Sequence, residues 1–144
     1  MTLDTNVLYQ ALRSADGASH YILSQVRQRN IHIAFSVALF NEYEDVLKRS
    51  ASLEAFGMNA SDIDKFLRFI AFAGVPCATY FLFRPNLRDE KDNMVLEAAI
   101  SSQSDYLITS NIKDFSGAEL RFDQIRIETP TEFVKIWRKL HGKG

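Results

Sequence analysis

Apolar residues recur along this chain at two different spacings. Short β-branched runs predict strands. One is Ile31-His32-Ile33-Ala34-Phe35, bounded by Asn30 and Ser36; a second is 106–109, entered at Asp105 and left at Ser110-Asn111. A third, 125–128, alternates as an edge strand with one wet face does. Thr2-Leu3 reads as a strand stub, and 75–83 is a further apolar run with open limits. Between them the apolar spacing turns helical. Val7, Leu8 and Leu12 follow Asp4-Thr5-Asn6, and Tyr21, Ile22, Leu23 and Val26 follow a turn at Asp16-Gly17. Val37, Leu39, Phe40, Tyr43, Val46 and Leu47 make an amphipathic face that Ser36 can cap. Ser61-Asp62-Ile63-Asp64 opens a helix carrying Phe66, Leu67 and Ile70, and Met94, Val95, Ala98, Ala99 and Ile100 mark another. Thr129-Pro130-Thr131-Glu132 starts the last, with Thr129 as cap, Pro130 at the first position and Glu132 completing a capping box. Residues 53–59 read as a connector, and 138–144 as a basic, frayed tail.

Strands alternating with helices predict an α/β fold built on a largely parallel sheet. The length of 144 residues suits one domain spanning 1–144. A hydrophobic share of 47% against 24% charged excludes disorder as the default. The net charge of −1 excludes the overall basic footprint of a protein that coats nucleic acid. Cys77 is the only cysteine, so no internal disulfide and no cysteine zinc site are expected. An acid already stands at position 4, so no secretory leader is expected. The apolar stretch 66–83 contains Arg68 and is broken by Gly74 and Pro76, so it predicts a helix and a strand rather than a membrane span.

The acids change the picture more than the totals do. In a parallel sheet all strands end on one edge, and ligands bind in the crevice there. Asp4 follows the first strand stub. Glu42 lies about two turns into the helix that Ser36 opens. Asp92 begins the helix of Met94 and Val95, and Asp114 lies in the loop after 106–109. The topology thus predicts that acids far apart in sequence converge. Gathered carboxylates repel unless positive charge neutralises them, and no Lys or Arg adjoins Asp4 or Glu42 in sequence. A hard divalent cation such as Mg²⁺ meets that need. One ion activates a water, and a second, where present, stabilises the leaving oxygen of a phosphodiester.

These residues also resemble a family. Asp4-Thr5-Asn6-Val7-Leu8 resembles the opening of PIN-domain proteins, and Ser36 through Glu42-Tyr43 resembles their second acidic position. Arg88-Asp89-Glu90-Lys91-Asp92-Asn93, followed by Val95-Leu96-Glu97-Ala98-Ala99, resembles the third. The fourth is resembled by the segment from Tyr106 through Thr109-Ser110-Asn111-Ile112-Lys113-Asp114-Phe115, and Ile127-Glu128-Thr129-Pro130 is similar to the closing strand and helix. The likeness spans almost the whole chain and is nearest the VapC-like toxin components of bacterial toxin–antitoxin pairs. It implies a three-layer α/β/α sandwich and a Mg²⁺- or Mn²⁺-dependent endoribonuclease acting on RNA in the cytoplasm. A homodimer, an antitoxin partner and no membrane association are implied with it. Asp4, Glu42, Asp92 and Asp114 are then the catalytic and metal-binding acids. Two departures stand out. Asn111 occupies a place where many members carry Asp, although a branch with Asn there puts its acid three residues later, where Asp114 falls. Only Met1-Thr2-Leu3 precede Asp4, where the family has a longer first strand.

Each assignment has a plainer rival. Asp4 and Asp92 can serve as helix caps, Glu44 and Asp45 compete with Glu42, and Asp89 competes with Asp92. Asn6, Asp89, Thr109, Ser110 and Asn111 are candidates to orient the ligands, or else to make loop hydrogen bonds. Arg13, Lys48, Arg49, Arg88, Lys91 and Lys113 lie near the motifs and are candidates for phosphate contact, or else for a solvated surface. His20, His32 and His141 lack metal-ligand spacing, His32 reading as a strand residue. The eleven phenylalanines read chiefly as core. Two other functions remain open: a scaffold that has lost catalysis and holds RNA or a protein partner, and a phosphatase using Asp4 as nucleophile. The second is disfavoured because Asn6 stands where haloacid-dehalogenase phosphatases carry a second aspartate.

Overall fold

The computed structural model describes residues 1–78, 90–115 and 124–141. The elements run β1 (Thr2–Leu3), α1 (Thr5–Arg13), α2 (Ala18–Arg27), β2 (Ala34–Ser36), α3 (Val37–Leu47), α4 (Ser50–Phe56) and α5 (Ala60–Ala73). They continue with β3 (Val75–Cys77), α6 (Glu90–Ser101), β4 (Tyr106–Ile108), a 3₁₀ turn (Ile112–Phe115), β5 (Arg126–Glu128) and α7 (Pro130–Leu140). Every strand pair is parallel: β1 lies between its partner β4 and the neighbouring β2, β4 also pairs β5, and β2 pairs β3. The two ladders meet at the chain start, where Ala34 N–H donates to the Met1 carbonyl at 2.8 Å and the Met1 amine donates to the His32 carbonyl at 2.8 Å. This is the expected α/β/α sandwich on a parallel sheet.

The core explains the layering. Leu3, Leu107, Ile108 and Ile127 on the sheet are buried with Leu8, Ile22, Leu39, Ile63, Ile70, Leu96 and Phe133 from the helices. Helix α6 packs across β1, β2 and β4, while α1 packs on α2 and α2 on α7. The helix starts follow the local chemistry. Ser36 Oγ accepts from Leu39 N–H at 3.0 Å, and Asn59 and Asp62 cap each other across the first turn of α5. Thr129 Oγ1 accepts from Glu132 N–H at 3.2 Å, while the Glu132 carboxylate meets Lys135 instead.

Three expectations are corrected. Residues 53–59 are not a connector: α4 occupies most of that stretch and ends at Gly57, whose φ of 67° suits glycine. The strand expected at 31–35 starts at Ala34, where its pairing with Val75 of β3 begins, and the Ile31 N–H turns back to the Gln25 carbonyl of α2 instead. His32 is consequently an exposed residue ahead of β2. The described phenylalanines are chiefly core as expected: Phe35, Phe115 and Phe133 are buried and Phe40, Phe56, Phe66 and Phe69 pack against the buried cluster, while Phe72 is 79% exposed. The tail prediction is half corrected, since α7 carries Arg138, Lys139 and Leu140 as helix; residues 142–144 lie outside the described residues.

Candidate active site

All the strands end on one edge, and the site is assembled there. Asp4 follows β1 directly, and its N–H donates to the Ile108 carbonyl at 2.9 Å, tying the start of α1 to the end of β4. Its carboxylate is buried and held from three sides. Oδ1 accepts from Thr5 N–H at 2.7 Å; Oδ2 accepts from Thr109 Oγ1 at 2.8 Å and from Asn6 Nδ2 at 3.2 Å. Asn6 turns its other end to Ser110 N–H at 3.1 Å, and Thr109 Oγ1 also accepts from Asn111 N–H at 3.1 Å. The loop after β4 is thereby latched onto Asp4.

Glu42 projects from the second turn of α3, Asp92 stands in the first turn of α6, and Asp114 sits in the 3₁₀ turn that Asp114 N–H closes onto the Asn111 carbonyl. All four acids line one cleft of about 280 Å³, together with Thr5, Asn6, Tyr9, Lys91 and Asn111. A larger hollow of about 400 Å³ lies beside α1, α2 and α5. It is lined by Leu12, Leu23, Phe66 and Phe69 and by no carboxylate, so the acids gather in the smaller cleft alone of the two. Of the orienting candidates, Asn6 and Thr109 touch Asp4, Ser110 contributes its backbone, and Asn111 lines the cleft. Asp89 lies outside the described residues, as does Arg88. Lys48 and Arg49 are engaged elsewhere, with Glu44, Asp64 and Asp45.

The electrostatics follow from burial and charge. Burial pushes the Asp4 carboxyl above its ordinary value, the hydrogen bonds from Thr109, Thr5 and Asn6 pull it back, and the charge of Asp114 raises it further. Among the described residues no three acid, histidine or cysteine side chains close around a single point. The donors nevertheless are all oxygens along an open cleft. That set fits a hard cation such as Mg²⁺, which keeps much of its water and does not require a closed protein cage.

Three features escaped the sequence reading. Lys91, expected as a phosphate contact or a solvated charge, places Nζ 3.6 Å from Glu42 Oε2, so a cation does adjoin Glu42 in space. The packing of α6 on α3 creates that contact, and no local pattern announces it. Tyr43 is fully buried, and its hydroxyl donates to the Leu3 carbonyl at 2.5 Å, pinning α3 to the residue before Asp4. Burial, with the nearby negative charge of Asp4, holds that phenol protonated. Tyr9, on the cleft wall, is braced edge-on by Phe56 of α4 at 4.9 Å; the Leu53–Phe56 spacing of three was the available signal.

Thr5 Oγ1 is buried with no hydrogen-bond partner among the described residues. Thr5→Val keeps the branched shape and removes the orphan, so a melt should show Tm unchanged or up by about 3 °C. A clear fall in Tm would show that the hydroxyl is bonded in solution.

A parallel α/β/α domain with acids at the carboxyl edge of its sheet belongs to the class that binds ligands in that crevice. The family model of the PIN domain matches residues 1–113, and the chain belongs to that family. PIN domains are generally nucleases, so the substrate class is nucleic acid, and they typically use divalent metals. Asp4, Glu42 and Asp92 lie inside the matched span, and Asp114 is one residue beyond it. No curated protein and no solved structure matches the chain. No helix among the described residues is long and apolar enough to cross a membrane.

Proposed function

We propose that the chain is a Mg²⁺- or Mn²⁺-dependent endoribonuclease that hydrolyses RNA phosphodiester bonds, the toxin of a toxin–antitoxin pair. The observation that carries the catalytic reading is the meeting of Asp4, Glu42, Asp92 and Asp114 in one cleft. These four would hold the ion; bound there, it would supply Lewis acidity and a water of lowered pKa. The chain's own part is positioning. Asn6 and Thr109 fix the Asp4 carboxylate in one orientation, and the latch through Ser110 N–H and Asn111 N–H holds the Asp114 turn beside it. The toxin role, the homodimer and cytoplasmic action are supported by the likeness of the four motifs to VapC-like proteins. Co-expression with an antitoxin from the adjacent reading frame should silence the activity.

Single-stranded and structured RNA should be cut in Mg²⁺ or Mn²⁺ and left intact in EDTA. A folded protein that cuts no RNA with either metal would end the reading. The ion pair between Lys91 and Glu42, with no closed acid cluster among the described residues, favours one alternative: a PIN scaffold that binds RNA or protein without catalysis. Calorimetry separates the two, because only the nuclease should bind a divalent ion in a manner that Asp4→Asn abolishes.

A further inference from the structure

The one cation lining the acid cleft among the described residues is Lys91, and it sits where a cation is locally disfavoured. It is the second residue of α6, where the helix dipole is positive and acids rather than bases are stabilised. What offsets that placement is across the cleft: Glu42, only 14% exposed, with Asp4, Asp92 and Asp114 lining the same hollow. Lys91 itself is 56% exposed, so its stem approaches from solvent and its ammonium reaches inward to 3.6 Å from Glu42 Oε2. A lysine is a compact charge on a flexible four-carbon stem, able to leave as readily as it arrives.

We propose that Lys91 is the cleft's exchangeable counter-cation. It neutralises Glu42 while no divalent ion is bound, gives up that carboxylate when the ion enters, and then meets the RNA phosphate at the cleft mouth. The proposal rests on the nuclease reading above, and it goes further by making one residue oppose metal binding and favour substrate binding. An ordinary surface ion pair would do neither.

The test is Lys91→Met, which keeps the stem and removes the charge, measured beside Lys91→Arg, Asp4→Asn and the wild type. By titration calorimetry with MgCl₂ or MnCl₂, Lys91→Met should bind the ion about threefold more tightly, the size of an exposed ion pair released from competition. With single-stranded RNA its KM should rise severalfold while kcat changes little, and the salt dependence of KM should flatten by about one phosphate contact. Lys91→Arg should restore wild-type ion affinity and KM. Ion affinity unchanged or weakened in Lys91→Met, with wild-type binding still dependent on Asp4, overturns the role of Lys91 and leaves the nuclease reading standing. A Lys91→Arg variant behaving like Lys91→Met overturns it too, since shape rather than charge would then matter. Absence of any Asp4-dependent ion binding in the wild type removes the nuclease reading and this proposal together.

Discussion

Asp4→Asn should remain folded and lose at least about a hundredfold in RNA cleavage. Second-sphere changes at metal sites already cost about 10- to 100-fold, and in the proposed nuclease Asp4 holds the ion itself. The fold should survive because Asn is as good a helix cap as Asp, so the acceptor facing Thr5 N–H is retained. The loss falls on the other oxygen, where Thr109 Oγ1 and Asn6 Nδ2 both donate to a position that an amide fills less well. Steady-state kinetics in Mg²⁺ and a melt with and without the ion check both halves. Without metal the variant should melt no lower than the wild type, and it should show no stabilisation when metal is added. Retained cleavage would remove Asp4 from the chemistry.

The same variant exposes a pH dependence. The folded protein holds the Asp4 proton more tightly than the unfolded chain does, because burial outweighs the three hydrogen bonds. Between the ordinary carboxyl value of 3.8 and the raised folded value, the native state therefore binds more protons than the unfolded state. Its stability falls as pH rises through that window and stays lower above it. The metal-free wild type should lose Tm relative to Asp4→Asn over that range, and added Mg²⁺ should close the gap. Parallel Tm curves for the two proteins would show that the carboxylate pays no desolvation penalty.

Much of this arrangement could be read from the chain because it is local. The run that feeds β4 is apolar, the one that feeds β5 alternates, Ser36 and Thr129 announce their helices, and Asp4 and Asp114 follow strands whose ends must share an edge. Glu42 and Asp92 could be counted from those starts. What could not be read depends on packing between distant elements. The seven residues of α4 contain two serines and two alanines and no full helical stripe, so only their placement of Phe56 against Tyr9 explains them. The limits of β2 depend on where distant β3 pairs with it, and the Tyr43 bond to Leu3 spans 40 residues. Lys91 is the sharpest case. In sequence it is one basic residue in a charged run, and only the approach of α6 to α3 gives it an acid to neutralise. The acids declare themselves by position, whereas the charges that balance them depend on the fold.

Phe115→Ala should be the most damaging substitution for stability near the site, and its effect on activity should exceed what instability explains. Phe115 closes the 3₁₀ turn of Ile112–Phe115 and is 2% exposed, while its neighbour Asp114 is exposed on the cleft. One side chain thus anchors in the core the turn that presents an acid. Truncating a buried phenylalanine costs about 3–5 kcal/mol, a large part of a total of about 5–15 kcal/mol. For a chain of this size Tm should fall by about 10 °C. Ile22→Ala is the control: Ile22 is fully buried in α2, away from the cleft lining, and its truncation carries a similar cost of about 2–5 kcal/mol. Assayed well below both melting points, Ile22→Ala should cleave RNA like the wild type. Phe115→Ala should not, because the turn is no longer held against the core and Asp114 loses its fixed place opposite Asp4. Phe115→Leu, which refills most of the space, should recover both stability and cleavage in part. Equal activity in Phe115→Ala and Ile22→Ala at matched stability would mean that Phe115 supports the core alone, and that Asp114 is placed by the bond from its own N–H to Asn111.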